Sequence, residues 1–81
     1  LMDVKLIFKM INEIYIRFEN NKNYTNEQFS YIMGCIDGYT NSIILDDIIN
    51  ENVKDKYIDE IGKIRNKMYN LHNGNKNDEM E

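Results

Sequence analysis

Residues 25–43, TNEQFSYIMGCIDGYTNSI, decide the fold that this sequence predicts. Thr25, followed three residues later by Gln28, is a capping box, which marks the first turn of a helix. Large apolar residues then recur at intervals of three and four, the period of one helical face: Phe29, Ile32, Ile36, Tyr39 and Ile43. The stretch therefore predicts an amphipathic helix that ends within residues 40–47, TNSIILDD.

The opposite face of this helix carries small side chains. Gly34 and Gly38 lie about 140° to 180° from the centre of the apolar stripe, and Tyr31, Cys35 and Ser42 lie beside them. Each glycine costs about 1 kcal/mol relative to alanine in a helix interior. Two glycines four residues apart favour the close approach of another backbone. The alternative is that they face solvent and only weaken the helix. We expect close packing, with this helix between two others.

Two flanking helices follow from the same period. Residues 3–20 place one apolar stripe on a helix that Asp3 can cap: Val4, Ile7, Phe8, Ile11, Ile14, Tyr15 and Phe18. A third helix, capped by Asp46 or Asp47, carries Ile49, Val53, Tyr57, Ile61, Ile64, Met68 and Leu71. Whether residues 49–53, INENV, divide this helix into a short and a long piece stays open.

The predicted fold is all-α, a small antiparallel bundle of three helices, with a short fourth helix as an open alternative. Residues 2–72 form a single helical domain, and residues 73–81 form a disordered acidic tail. A chain of 81 residues buries only about 60 to 65% of its surface. Dimerisation is expected to complete the bundle, because surplus apolar residues lie outside the main stripes: Leu6, Met10, Ile16, Ile58 and Tyr69.

The residues capable of chemistry do not form an enzyme motif. Cys35 lies in mid-helix beside Asp37, in a segment without basic residues, whereas a reactive thiolate needs a helix N-terminus or a nearby cation. We therefore expect a small buried or half-buried thiol. His72 is the single histidine and is placed at the end of the third helix. No calcium-loop, zinc or phosphate-loop spacing is present. We therefore expect a non-enzymatic protein without metal or cofactor.

The distribution of charge bears on two possible functions, protein binding and DNA binding. Residues 23–53 contain five acidic residues and no lysine or arginine, and we expect an acidic patch there: Asp37, Asp46, Asp47 and Glu51. The third helix carries Lys54, Lys56, Lys63, Arg65 and Lys67, which allows a DNA-binding regulator as the alternative function. A net charge of −4 makes nucleic acid an unfavourable partner, because phosphate contacts dominate DNA affinity.

The function that the sequence favours is protein binding, as an inhibitor or regulator of a larger protein. We expect the partner, or a second copy of the chain, to contact Tyr31, Gly34, Cys35, Gly38, Ser42, Ile58 and Tyr69. No run of apolar residues is long enough for a membrane span, and the single cysteine fits a cytoplasmic protein. Isoleucine and asparagine occur 13 times each, a bias of A+T-rich genomes that favours a phage- or mobile-element-encoded protein acting in a bacterial host.

Overall fold

The structure, a computed structural model, describes residues 3–21 and 23–80, with side chains as far as residue 74. These residues form three helices: α1 (Val4–Glu19), α2 (Asn26–Ile44) and α3 (Glu51–Met80). Each helix packs against the other two, and no strand occurs among the described residues. The predicted all-helical fold of three helices is therefore confirmed.

Both predicted caps of the first two helices are present. The Asp3 side chain accepts a hydrogen bond from the Lys5 backbone N–H at 3.2 Å, at the start of α1. At the start of α2, the Gln28 N–H donates to Thr25 Oγ1 at 3.1 Å, and the Thr25 N–H donates to Gln28 Oε1 at 2.9 Å. Each cap satisfies N–H groups that have no partner inside a helix. α2 ends at Ile44, within the predicted segment.

The connection between α2 and α3 differs from the prediction. The Asp46 carboxylate accepts hydrogen bonds from the N–H groups of Ile48 and Ile49, at 2.7 and 3.1 Å, and so closes a turn instead of capping a helix. The cap of α3 is Asn50, whose side chain accepts from the Asn52 N–H at 2.8 Å. Residues 45–50 form this turn, and the structure does not show a short helix there.

Contacts at both ends show that α2 runs antiparallel to its neighbours. The rings of Phe18, at the end of α1, and Phe29, at the start of α2, lie 5.6 Å apart. Lys54, at the start of α3, reaches the end of α2. Near the other end of the bundle, His72 Nε2 lies 2.9 Å from Asn26 Oδ1 in the first turn of α2. The chain therefore passes up, down and up.

The core consists mainly of isoleucine, and five of its side chains are fully buried: Ile11, Ile36, Ile43, Ile61 and Met68. Full burial of such a side chain stabilises a fold by about 1.5–3 kcal/mol. The predicted stripe of α1 is confirmed, with Ile7, Ile11 and Phe18 buried and the other members packed against the core.

The buried side of α2 is rotated relative to the predicted stripe. Met33 is buried, whereas Ile32 and Tyr39 are half-buried. Thr40 lies on the same rotated side, and its hydroxyl donates to the Ile36 carbonyl at 2.8 Å. This bond within the helix satisfies the hydroxyl, so a polar residue can lie beside the core.

The predicted stripe of α3 is correct in its centre and wrong at its start. Ile61, Ile64 and Met68 are buried, but Val53 is 39% exposed. Ile58, which we placed outside the stripe, packs against the core. α3 continues to Met80 and so includes most of the segment predicted as a tail; whether residues 73–81 are disordered in solution stays a prediction.

Candidate protein-interaction surfaces

One side of α2 faces away from both neighbouring helices, and we call it the outer face of α2: Tyr31, Gly34, Cys35, Gly38 and Ser42. Both glycines are exposed, and a Cβ built on either of them meets no atom within 4 Å. The expectation that α1 or α3 packs closely against these glycines is therefore wrong. Within one chain, the outer face of α2 is an open surface.

Shallow depressions border the outer face of α2 on the side of α1. One of them, of about 220 Å³, is lined by Ile14 and Arg17 of α1, by Tyr24, and by Tyr31, Ile32 and Cys35. A second is lined by Cys35, Gly38, Tyr39 and Ser42. Tyr31 itself is 76% exposed. The result is a groove of mainly apolar and aromatic character between α1 and the outer face.

The remaining two residues of the predicted interface lie on the α3 side of α2. Tyr69 packs edge-on against Phe29, with ring centroids 5.2 Å apart, but keeps 42% of its surface exposed. Ile58 is half-buried in the core. Because Tyr31 and Cys35 border α1, the seven predicted residues do not form one continuous patch. The groove beside α1 contains only part of the predicted set.

The four carboxylates of the predicted acidic patch have different surroundings. Asp37 forms an ion pair with Arg65 of α3 at 2.8 Å, which links two helices but contributes less than about 1 kcal/mol at a partly exposed position. Asp46 closes the turn, and Glu51 lies 3.5 Å from Lys54 Nζ. Asp47 is exposed. Asp46, Asp47 and Glu51 cluster at the turn, whereas Asp37 lies about 13 Å along α2 from them.

The turn also exposes a group of aliphatic side chains that sequence reasoning missed. We call them the turn patch: Ile44, Leu45, Ile48 and Val53, with Leu45 and Ile48 exposed by 76% and 78%. The sequence pattern places Ile43 at the end of one apolar stripe and Ile49 and Val53 at the start of the next, and it leaves Ile44, Leu45 and Ile48 in neither stripe. The run IILDDII at residues 43–49 was an available signal, because pairs of adjacent apolar residues cannot all lie on one face of a helix.

A buried lysine fixes the position of the turn. Lys54 is 7% exposed, and its ammonium group donates a hydrogen bond to the Ile44 carbonyl oxygen at 2.9 Å. The last carbonyl groups of a helix have no partner inside the helix and carry partial negative charge. Lys54 therefore satisfies a carbonyl group at the end of α2 and holds that end against the first turn of α3.

The other candidate residues have structural roles. Cys35 is a half-buried thiol, as predicted. His72 is not at a free helix end: it is 8% exposed, hydrogen-bonds Asn26 and stacks on Phe29 with ring centroids 4.1 Å apart. Among the described residues, no group of three or more His, Cys, Asp or Glu side chains is arranged to bind a metal ion.

The basic residues of α3 are partly used inside the fold. Lys54 is buried, and Arg65 pairs with Asp37. Lys63 lies 3.3 Å from Glu60 and 3.5 Å from Asp59. The hydrogen bond and charge of Glu60, with a smaller effect of Asp59, raise the pKa of Lys63. Three of the five cations that a DNA-binding helix would use therefore already have protein partners.

Comparison with known protein families, characterised proteins and solved structures found no significant match to this chain. Within the described residues, no helix combines the length and apolar character that crossing a membrane requires.

Proposed function

We propose that this chain is a small non-enzymatic protein-binding module that acts as an inhibitor or regulator of a larger protein. One observation carries the proposal: Tyr31, with three-quarters of its surface exposed, lines an apolar groove beside α1. The close packing of Gly34 and Gly38, which the interaction hypothesis also expects, is not present within one chain. Exposed aromatic residues at the edge of an apolar groove are typical anchors of protein interfaces. The glycines leave room for a partner backbone to lie close to α2.

The mode of action that we propose is occlusion. We expect the chain to affect a larger protein through the surface that it covers. This fits a phage- or mobile-element-encoded protein that acts in the cytoplasm of a bacterial host. A second copy of the chain is a further partner of the same face, which would produce the expected homodimer.

The test combines capture with measurement on the purified partner. The tagged chain is used to retain proteins from the source organism or host, and the retained protein is then purified and titrated. Tyr31→Ala is expected to weaken binding at least tenfold, because buried tyrosines at interface centres contribute about 2 kcal/mol or more. Asn66→Ala, at an exposed position of α3, is the matched control and should leave binding unchanged.

Sedimentation equilibrium of the purified chain distinguishes self-association from binding to another protein. A dimer that Gly38→Leu converts to a monomer would identify a second copy as the partner. Failure to retain any protein, together with a monomer at all concentrations, would overturn the proposal. Micromolar binding to random duplex DNA that weakens steeply with salt would replace it with the DNA-binding alternative.

A further inference from the structure

We propose that the turn patch is a docking site for a basic amphipathic segment of a partner protein. This inference rests on the proposed function and names a second contact surface together with the chemistry of what it binds. The turn patch lies outside the groove beside α1, and none of its four residues belongs to the interface that the sequence predicts.

The exposed side chains of the turn patch are held by a rigid frame. Leu45 and Ile48 flank the Asp46 carboxylate, which accepts two backbone hydrogen bonds, and Lys54 fixes the Ile44 carbonyl group. Asn50 caps the helix that follows. A surface whose backbone is already fixed loses little conformational entropy when a partner binds. The aliphatic residues are thus presented on a preorganised turn.

The negative charge around the turn patch favours a partner segment with basic residues. Asp46, Asp47 and Glu51 lie within the turn or directly after it, and residues 23–53 contain no basic side chain. Lys54, the first cation that follows this segment in the sequence, is buried and already engaged with Ile44 and Glu51. A partner segment that places aliphatic side chains on Leu45 and Ile48, and lysine or arginine at its edges, complements this surface.

The carboxylates of the turn also disfavour two other partners of the turn patch, a second copy of the chain and a membrane. A second copy docked turn on turn would bring six carboxylates together, and like charges across an interface cost affinity. A membrane surface is unfavourable because anionic lipid headgroups attract basic and not acidic segments. The basic segment is therefore the occupant that the turn patch fits.

The test uses synthetic peptides of about 14 residues, or four helical turns, and the full chain labelled with ¹⁵N. The first peptide carries leucine on one helical face and lysine beside it. The second replaces lysine with glutamate, and the third replaces leucine with serine. We expect the first peptide alone to bind, with amide shift changes concentrated in residues 44–53 and affinity that falls as salt rises.

Variants of the chain locate the site. Leu45→Ser combined with Ile48→Ser should weaken the first peptide at least tenfold, a change of about 1.4 kcal/mol. Because both side chains are more than three-quarters exposed, these substitutions leave the core intact, which thermal unfolding checks. Ile16→Ser, at an exposed position of α1, is the matched control. Asp47→Asn with Glu51→Gln should weaken binding without disturbing the Asp46 turn.

Three results would overturn the inference: equal binding of the glutamate peptide, unchanged affinity of the Leu45 and Ile48 variant, or shift changes confined to the groove beside α1. The proposed function is judged separately, by the protein retained through Tyr31. If that protein binds while the lysine peptide does not, the turn-patch inference fails and the proposed function stands. If no protein is retained and the chain stays monomeric, the proposed function fails whatever the peptides do.

Discussion

Replacing Gly34 and Gly38 with alanine should stabilise this protein. Both residues lie in the interior of α2, neither has a positive φ angle, and an added Cβ at either position meets no atom within 4 Å. Alanine restricts the unfolded chain more than glycine does and fits the helical backbone without strain. Each substitution is worth about 0.5–1 kcal/mol, so the double variant should gain about 1–2 kcal/mol.

Urea unfolding followed by circular dichroism measures this gain. The midpoint should rise with an unchanged slope, because the same surface is exposed on unfolding. For a domain of this size, each kcal/mol should raise Tm by about 4–8 °C. Gly62→Ala is the matched control, since Gly62 lies inside α3 and its added Cβ also meets nothing within 4 Å. Gly62→Ala should raise the free energy of unfolding by about as much as one of the two α2 substitutions.

The two glycine positions also connect stability to function. If a partner backbone lies close to α2, Gly34→Ala and Gly38→Ala will raise stability but lower affinity for the partner, whereas Gly62→Ala will raise stability alone. A loss of stability in the α2 double variant would refute the reasoning, because it would mean that the added methyl groups meet atoms. If the loss of stability in the double variant grows with protein concentration, the atoms that the added methyl groups meet belong to a second copy of the chain.

Three further predictions follow from the core, the turn and one tyrosine. Ile36→Ala should lower the free energy of unfolding by about 2–5 kcal/mol, because Ile36 is fully buried; a loss below about 1 kcal/mol in urea titration would contradict its place in the core. Asp46→Ala should cost about 1 kcal/mol, the scale of a lost capping bond, whereas exposed Asp47→Ala should stay within about 0.5 kcal/mol; equal effects would contradict the Asp46 turn. The hydrogen bond to Glu19 at 2.9 Å, with smaller effects of burial and of the Glu19 charge, raises the pKa of Tyr15. A raised pKa means that folding favours the neutral phenol of Tyr15. The stability that the hydrogen bond adds is therefore present below the ordinary tyrosine pKa of about 10, and it is lost as pH rises through the pKa that Tyr15 has in the folded protein. Ultraviolet titration should show that Glu19→Gln lowers the Tyr15 pKa, and an unchanged value would refute the assignment.

The parts of the fold that depend on local chemistry could be predicted from the sequence. The Asp3 cap, the capping box of Thr25 and Gln28, and the apolar period of α1 are all confirmed. Each involves residues at most four positions apart, for which helix geometry is known in advance. The presence of α1 and α2 follows from these signals.

The parts that depend on contacts distant in sequence could not be predicted. Asp46, Asp47 and Asn50 are all good helix caps by residue type, and α3 begins after Asn50, where Lys54 reaches Ile44 ten residues earlier. His72 looked like an end residue until α3 brought it to Asn26, 46 positions away in the chain. The rotation of the buried side of α2 toward Met33 depends on where α3 packs, which one helix alone does not specify.

The glycine face of α2 is predicted by the sequence, but neither α1 nor α3 makes the close contact expected there. Spacing alone indicates that Gly34 and Gly38 share one side of a helix, but it cannot indicate whether the neighbour belongs to the same chain. The two flanking helices instead contact other sides of α2. The ring of Phe18 in α1 lies 5.6 Å from that of Phe29, and Arg65 of α3 pairs with Asp37. With the flanks of α2 occupied, the outer face remains outside the bundle.

Leu45 of the turn patch lies in line with the outer face of α2 along the helix. Leu45 follows Gly38 by seven residues, which brings it back to within about 20° of the same helical direction. Tyr31 and Leu45 are therefore large exposed side chains at the two ends of a glycine-lined surface about 21 Å long. A partner helix of about four turns would span that distance, and we expect its closest approach over the glycines and its basic residues near Asp47 and Glu51. One partner helix could thus contact both Tyr31 and Leu45, with apolar contacts at Tyr31 and both apolar and charged contacts at the end near Leu45.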